Sequence, residues 1–345
     1  MDISEFDYEL PGELIAQHPL ERRDASRMLV LDRVRTSWID SDFSAIPQLL
    51  RPNDVLVVNN TRVFPARLIG QRDPSGGRVE VLLVRELEPL RWEALVRPGE
   101  RLRPGARIRF GDAKLLAEVV ALVGGGLRVL QFECADSFTA VLDQLGETPL
   151  PPYIKRSDGS TREDRERYQT IFASSWGAIA APTAGLHFTQ GALDELRERQ
   201  IKIAEITLHV GYGTFEPVRA ADINEHRVAP EDFEISPAAA KTINEARSNG
   251  RRIVAVGTTT TRALESAVNA KGQIGAGKGR AAVTIIPGYA FRITDALITN
   301  FHLPQSSLLL LVCAFGGREL VLCAYRHAVQ SRYRFYSYGD CMLIQ

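Results

Sequence analysis

The rhythm of apolar and polar positions changes twice along this 345-residue chain. Before residue 62, residues 28–32 and 55–58 are apolar, β-branched runs bounded by charge and by Pro52-Asn53-Asp54, which predicts strands. Residues 13–16, after Pro11, predict a short helix with proline at its start. From 63 to about 131 the apolar runs shorten to 79–84, 92–96, 107–110, 115–123 and 127–132. Each ends in a Gly, Pro or charged turn, and no helical period separates them. Closely spaced strands of this kind predict an all-β insertion, a barrel or a sandwich.

From residue 150 strands and helices alternate. Residues 201–210, 253–256 and 283–286 read as strands. Ser236-Pro237 is an N-cap followed by proline, and Gly250 is the stop, which brackets a helix over 238–249. Further helices are expected at 260–270, after a cap at Ser306 or Ser307, and at 318–330. The pattern predicts an α/β fold, a mainly parallel sheet with flanking helices. Residues 1–62 and 150–345 form this domain, and 63–149 are inserted into it.

Composition narrows the picture. Hydrophobic residues make up 45% and charged residues 24%, as in ordinary globular chains. Acidic and basic side chains number 42 each, so the chain is not a wholesale polyanion binder. The C-terminal part, 151–345, carries a small positive surplus, and most of the basic residues are arginine, a planar bidentate phosphate donor. The acidic start lacks the apolar segment of a signal peptide, and the longest apolar run, 308–315, is far short of the ~20 residues a bilayer requires. The four cysteines show no metal spacing. These features predict a cytoplasmic protein without a metal.

One motif is a decoy. Residues 272–279 nearly spell a phosphate-binding loop, but Gly279 stands where a hydroxyl is needed, so a flexible connecting loop is expected. The sharper features follow strands, where α/β proteins bind ligands. Gly257-Thr258-Thr259-Thr260-Thr261-Arg262 opens a helix with hydroxyls, free N–H groups and a positive dipole end. A capped turn would explain part of this string, but four threonines exceed what capping uses. Thr183, Gly185 and His187 sit in a small-residue loop. His209, Gly211 and Thr214 form a second glycine-rich exit. Tyr289, Asp295, Asn300 and His302 belong to a third stretch. A lone loop histidine is often only a structural donor, yet three such loops predict one shared cleft for His187, His209 and His302. Arg334, Tyr336 and Tyr338 interleave cation and ring, as base stacking with phosphate contact requires.

Several blocks carry a family resemblance: residues 6–11, 14–17, 26–31, 59–62 with 65–68, 150–156, 164–170, 181–189, 208–215, 256–266, 299–303 and 332–340. Together they resemble the S-adenosylmethionine:tRNA ribosyltransferase-isomerase family of queuosine biosynthesis. The likeness runs end to end and is weakest in the insertion. One departure stands out: after His226 the family has a second histidine, where this chain has Ala229 and Pro230 before Glu231.

The resemblance implies an α/β domain with an inserted all-β barrel domain. It implies transfer of the ribosyl part of S-adenosylmethionine, as co-substrate, to the aminomethyl group of the 7-deazaguanine base preQ1 at the tRNA wobble position. The ribosyl unit isomerises to the epoxycyclopentane of epoxyqueuosine, and adenine and methionine leave. On this reading His187, His209 and His302 are candidates to take the C5′ proton, and a second histidine or Asp295 assists adenine. The sites implied for the cofactor are Thr183, Gly185, Gly211, Thr214, Thr258, Thr259, Arg262, Tyr289 and Asn300. Arg62, His226, Glu231, Arg334, Tyr336 and Tyr338 are implied for the anticodon loop of preQ1-tRNA. A cytoplasmic monomer with no membrane partner is expected. Two alternatives stay open: a noncatalytic tRNA-binding homologue, and a nucleoside transferase indifferent to RNA.

Overall fold

The computed structural model describes residues 1–157, 159–215 and 218–345, without the side chains of residues 214 and 215. In chain order the strands are β1 (Arg27–Asp32), β2 (Ser37–Asp42), β3 (Val55–Asn59), β4 (Thr61–Val63), β5 (Arg67–Asp73), β6 (Arg78–Glu88), β7 (Arg91–Arg97), β8 (Arg107–Phe110), β9 (Leu115–Gly124) and β10 (Leu127–Cys134). After the insertion come β11 (Ser175–Ala178), β12 (Lys202–Leu208), β13 (Glu231–Ile235), β14 (Ile253–Val256), β15 (Gly277–Ala281), β16 (Ala296–Asn300) and β17 (Cys341–Ile344). The helices are α1 (Ile46–Leu49), α2 (Phe138–Leu145), α3 (Arg162–Arg167), α4 (Gln190–Glu198), α5 (Pro237–Ser248), α6 (Thr258–Ala267), α7 (Ser307–Gly316) and α8 (Arg318–Gln330).

The chain divides into two compact units, one of residues 1–62, 152–155 and 167–345, the other of 63–151 and 156–166. Residues 156–166 thus go with the insertion, not with the α/β part as their place in the chain predicted. Arg156 and Asp164, 2.8 Å apart, close the segment on itself, and Arg165 ties it to Asp143 of the insertion.

In the first unit nine strands form one mixed sheet in the order β15-β13-β12-β3-β14-β16-β17-β1-β2. The centre, β12-β3-β14-β16, is parallel, and antiparallel pairs flank it. Every residue of β3, β14 and β16 is buried, as expected of strands covered on both faces. The edge strand β2 is polar and mostly exposed, which discourages pairing with another chain. Ser236 caps α5 through Ala239 N–H, and Ser306 caps α7 through Leu309 N–H. α7 buries Leu309, Leu310 and Leu311, each worth about 1.5–3 kcal/mol.

Two expectations fail here. Residues 283–286 are not a strand, because no neighbouring strand pairs with them. The end of the phosphate-loop decoy is not a flexible loop but β15, laddered to β13 from Glu231–Ala281 to Ile235–Gly277.

In the second unit β10-β7-β6-β5-β8-β9 close into an antiparallel barrel. Burial alternates along β6, β7 and β9, so Val81, Leu83, Trp92, Ala94, Phe110 and Phe132 meet inside. Phe138 of α2 packs on Trp92 and Phe132.

Strand direction decides what meets at one edge of the large sheet. β14 and β16 end there, at Val256 and Asn300. β17 is antiparallel to β16 and β1 is parallel to β17, so both begin there, with Met28 and Asn300 each opposite Cys341. Four distant segments are thereby placed side by side: residues 23–26, 257–262, 300–302 and 336–340.

Candidate active site

At this edge lies a cleft with about 490 Å³ of empty space, counting the part open to solvent. Gly257 ends β14 with φ +92°, a backbone state that costs glycine little, and so turns the chain directly into α6. No side chain caps α6, and the N–H groups of Thr258, Thr259 and Thr260 have no partner among the described residues. Thr260 and Thr261 turn their hydroxyls back to the carbonyls of Val256 and Gly257, at 2.6 and 3.2 Å. Thr259 does not. Its Oγ1 is buried without a hydrogen-bond partner, and the residue lines the cleft with Thr258. Orphaned donors at a helix N-terminus make a seat for an anionic group.

His302 also lines the cleft. Its Nε2 meets Thr299 Oγ1 at 2.9 Å, and its Nδ1 has no partner among the described residues. The peptide units around it are fixed, because Tyr325 Oη accepts His302 N–H at 3.2 Å and Tyr8 Oη donates to the His302 carbonyl. Burial pushes the imidazole down to about 3, so it is neutral near pH 7.

His187 stands one hydrogen bond behind the cleft. Asn300 Nδ2 faces the carbonyls of Tyr336 and Asp340 and must be the amide nitrogen. It therefore donates to His187 Nε2, at 3.1 Å, which leaves the proton on Nδ1 to donate to Ser26 Oγ at 3.0 Å. Asn300 Oδ1 accepts from Thr183 Oγ1 at 3.0 Å. Burial, with smaller contributions from the Arg23 and Arg334 charges, pushes His187 down to about 3. The chain Ser26–His187–Asn300–Thr183 thus ends on the cleft wall, which Thr183 and Asn300 line.

The expected convergence of three imidazoles is not found. His209 does not line the cleft: its Nδ1 meets Thr61 Oγ1 at 2.8 Å, and its ring lies against Gly177, where a Cβ would come within 2.9 Å. Burial lowers its pKa. Asp295 is at the wrong end of β16. Its carboxylate accepts Ile253 N–H at 2.8 Å, about 16 Å along the strand from Asn300.

Arg262 and Glu231 belong to the framework. Arg262 donates to the carbonyls of Val283, Ala229 and Ala281 and to Glu231 Oε2, which occupies its guanidinium. Glu231 Oε1 accepts Gly211 N–H at 2.8 Å. Gly211 is therefore held through its backbone, and neither Arg262 nor Glu231 lines the cleft. Gly185 is a packing glycine, since a Cβ would lie 2.8 Å from Thr170. Tyr289 Oη meets Glu265 at 3.3 Å, away from the cleft, and burial pushes it up to about 12. The Thr214 side chain lies outside the described residues.

Of the residues expected to meet RNA, Arg62 is exposed. His226 Nε2 is tied to Ser307 Oγ at 2.7 Å, and burial, then Arg227, lowers its pKa. Tyr336 and Tyr338 are buried, so they are not an open stacking platform. Tyr336 lines the cleft with φ +74°, and Tyr338 lines a neighbouring pocket. Arg334 donates to the carbonyl of His18.

Sequence reasoning did not single out Tyr153, Ser337 and Leu308, which also line the cleft. Tyr153 and Tyr336 meet edge to face at 3.9 Å, and Tyr153 Oη is bonded to Ser337 Oγ. Tyr153 and Ser337 stand inside blocks 150–156 and 332–340, the available signal. Among the described residues no group of three or more His, Cys, Asp or Glu side chains is placed to hold a metal.

The family model described as queuosine biosynthesis protein matches residues 3–344. Proteins named S-adenosylmethionine:tRNA ribosyltransferase-isomerase are 51% identical in Symbiobacterium thermophilum and 53% identical in Moorella thermoacetica, over the whole of each chain. The crystal structure of S-adenosylmethionine tRNA ribosyltransferase from Thermotoga maritima is 36% identical, with a TM-score of 0.57, over 99% of this chain and 100% of that one.

Proposed function

This chain belongs to the queuosine biosynthesis protein family, and from that premise we propose that it is an S-adenosylmethionine:tRNA ribosyltransferase-isomerase whose reaction takes place in the cleft at α6. The tRNA substrate is read here as carrying preQ1 at the wobble position, and the product as epoxyqueuosine-tRNA.

The observation that carries the placement is the orphaned Thr259 hydroxyl beside three unpartnered N–H groups. Three N–H donors with a hydroxyl that can also donate fit the methionine carboxylate. The aromatic edge of Tyr153 and Tyr336 suits a flat purine. S-adenosylmethionine supplies a sulfonium that acidifies the neighbouring C5′ hydrogens and a ribosyl group that can leave adenine. His302, neutral and held by Thr299, is the base we assign to that proton, through the Nδ1 lone pair when Nε2–H is directed at Thr299. His187 is a positioning residue. Its neutral Nδ1–H tautomer holds the Asn300 amide, and Asn300 holds Thr183. Among the described residues no carboxylate lines the cleft.

Nothing observed favours the noncatalytic alternative. The departure at Ala229 leaves its framework role intact, because that role is a carbonyl accepting Arg262 Nη2 at 3.2 Å, which any residue provides. The deciding experiment incubates the protein with S-adenosylmethionine and either preQ1-tRNA or free preQ1 base. Equimolar adenine and methionine with the tRNA alone is the expected result. Release with the free base at the same rate would establish the nucleoside transferase instead, and no release with either would overturn the assignment.

A further inference from the structure

A second pocket lies against the cleft, and Ser337 forms part of both walls. Arg23 and Arg167 line it, together with the hydroxyl-bearing Ser26, Ser337 and Tyr338. Among the described residues no carboxylate lines it. Arg167 makes no ion pair among the described residues and spends one N–H on the Leu20 carbonyl, at 2.5 Å. Arg334 stands close by with Nη1 buried and without a hydrogen-bond partner among the described residues. Asp340 is committed to the backbone N–H groups of Arg27 and Arg334, and burial pushes its carboxyl up. His187 closes the back of the pocket in its neutral form. Burial lowers the pKa of Arg23, and the Arg167 charge adds to that, so the two guanidiniums are near enough to repel.

Like charges gathered around hydroxyls, with no acid on the wall, favour an anion with several acceptor oxygens. We infer that this pocket takes a backbone phosphate of the RNA, one flanking the nucleotide whose base enters the cleft. The single shared wall residue sets the two pockets side by side, as a base and its own phosphate are. The inference rests on the tRNA reading above and adds to it a subsite for the phosphodiester.

The test measures binding rather than turnover. Affinity for an unmodified anticodon stem-loop RNA is followed against salt concentration for the wild type, Arg167→Gln and Arg167→Lys. Arg167→Gln is expected to weaken binding about ten-fold, whatever the loop sequence. It should also flatten the slope of log K against log salt by about 0.7, one phosphate contact to a single strand. Arg167→Lys should regain most of the slope. Equal slopes in all three proteins would overturn the inference. Should Arg167→Gln fail to fold, the wild type decides: inorganic phosphate should displace the RNA more strongly than chloride at equal ionic strength, and equal displacement refutes the subsite. Phosphate binding without competition against RNA also refutes it. Adenine release by the wild type is scored separately, so failure of the subsite leaves the proposed reaction standing.

Discussion

Glu231 holds Arg262 from one carboxylate oxygen and the Gly211 loop from the other, so a strand, a helix and a strand exit meet on one buried acid. The pair steadies α6 just behind its N-terminal seat. Glu231→Ala leaves a buried guanidinium without its partner and is expected to cost about 3–5 kcal/mol of stability. Urea unfolding measures it; a loss below about 1 kcal/mol would show that the clamp is not needed.

Thr259→Val keeps the shape of the side chain and removes a hydroxyl that bonds to nothing in the protein. Its urea midpoint should stay the same or rise slightly, since an unsatisfied buried group is removed. Calorimetry should show S-adenosylmethionine binding about ten-fold more weakly. A variant that loses stability and keeps its affinity would place the hydroxyl in the framework.

His302 and His209 should separate in kinetics. His302→Asn is expected to lower kcat by about 100-fold or more, with the dissociation constant for S-adenosylmethionine changed only a few-fold. His209→Asn, whose ring faces Thr61 and Gly177 away from the cleft, should stay within about ten-fold of the wild type. Single-turnover adenine release reads both, and the reverse order would move the base to His209.

Acid should destabilise the fold before most carboxylates titrate. His187 and His302 lie at about 3 in the folded protein against an ordinary 6.5. Between those values the unfolded chain binds protons that the folded one does not. Stability is therefore full above about pH 6.5 and falls on acidification, by up to about 1.4 kcal/mol per pH unit for each ring. Urea midpoints between pH 6.5 and 4.5 should show the decline, shallower in His187→Asn. A flat profile would mean that the rings take up protons while folded.

Much of the site's composition was legible along the chain. Thr183, Thr258, Thr259, Asn300 and His302 were read from strand exits, where helices open and backbone donors are left over, and all five line the cleft. Asp295 misled for the opposite reason. A carboxylate near Asn300 in sequence is near it in space only if the chain turns between them, and here it runs straight along β16. Arg262 misled because an arginine beside four threonines says nothing of an acid 31 residues away. The C-terminal block was marked by its rings and arginines, but exposure was read into residues that the fold buries.

What the sequence determined by itself was local: strands from apolar runs, helices from Ser236 and Ser306 caps, a β insertion from its turns, and a family from its blocks. Those signals act between neighbours, within a few residues, and survive in any arrangement of the elements. The tertiary structure alone decided which histidine faces the cleft, and that one pocket holds two arginines from residues 23 and 167. The order and direction of strands in the large sheet fix those juxtapositions. They arise from packing among segments hundreds of residues apart, for which a single chain carries no periodic mark.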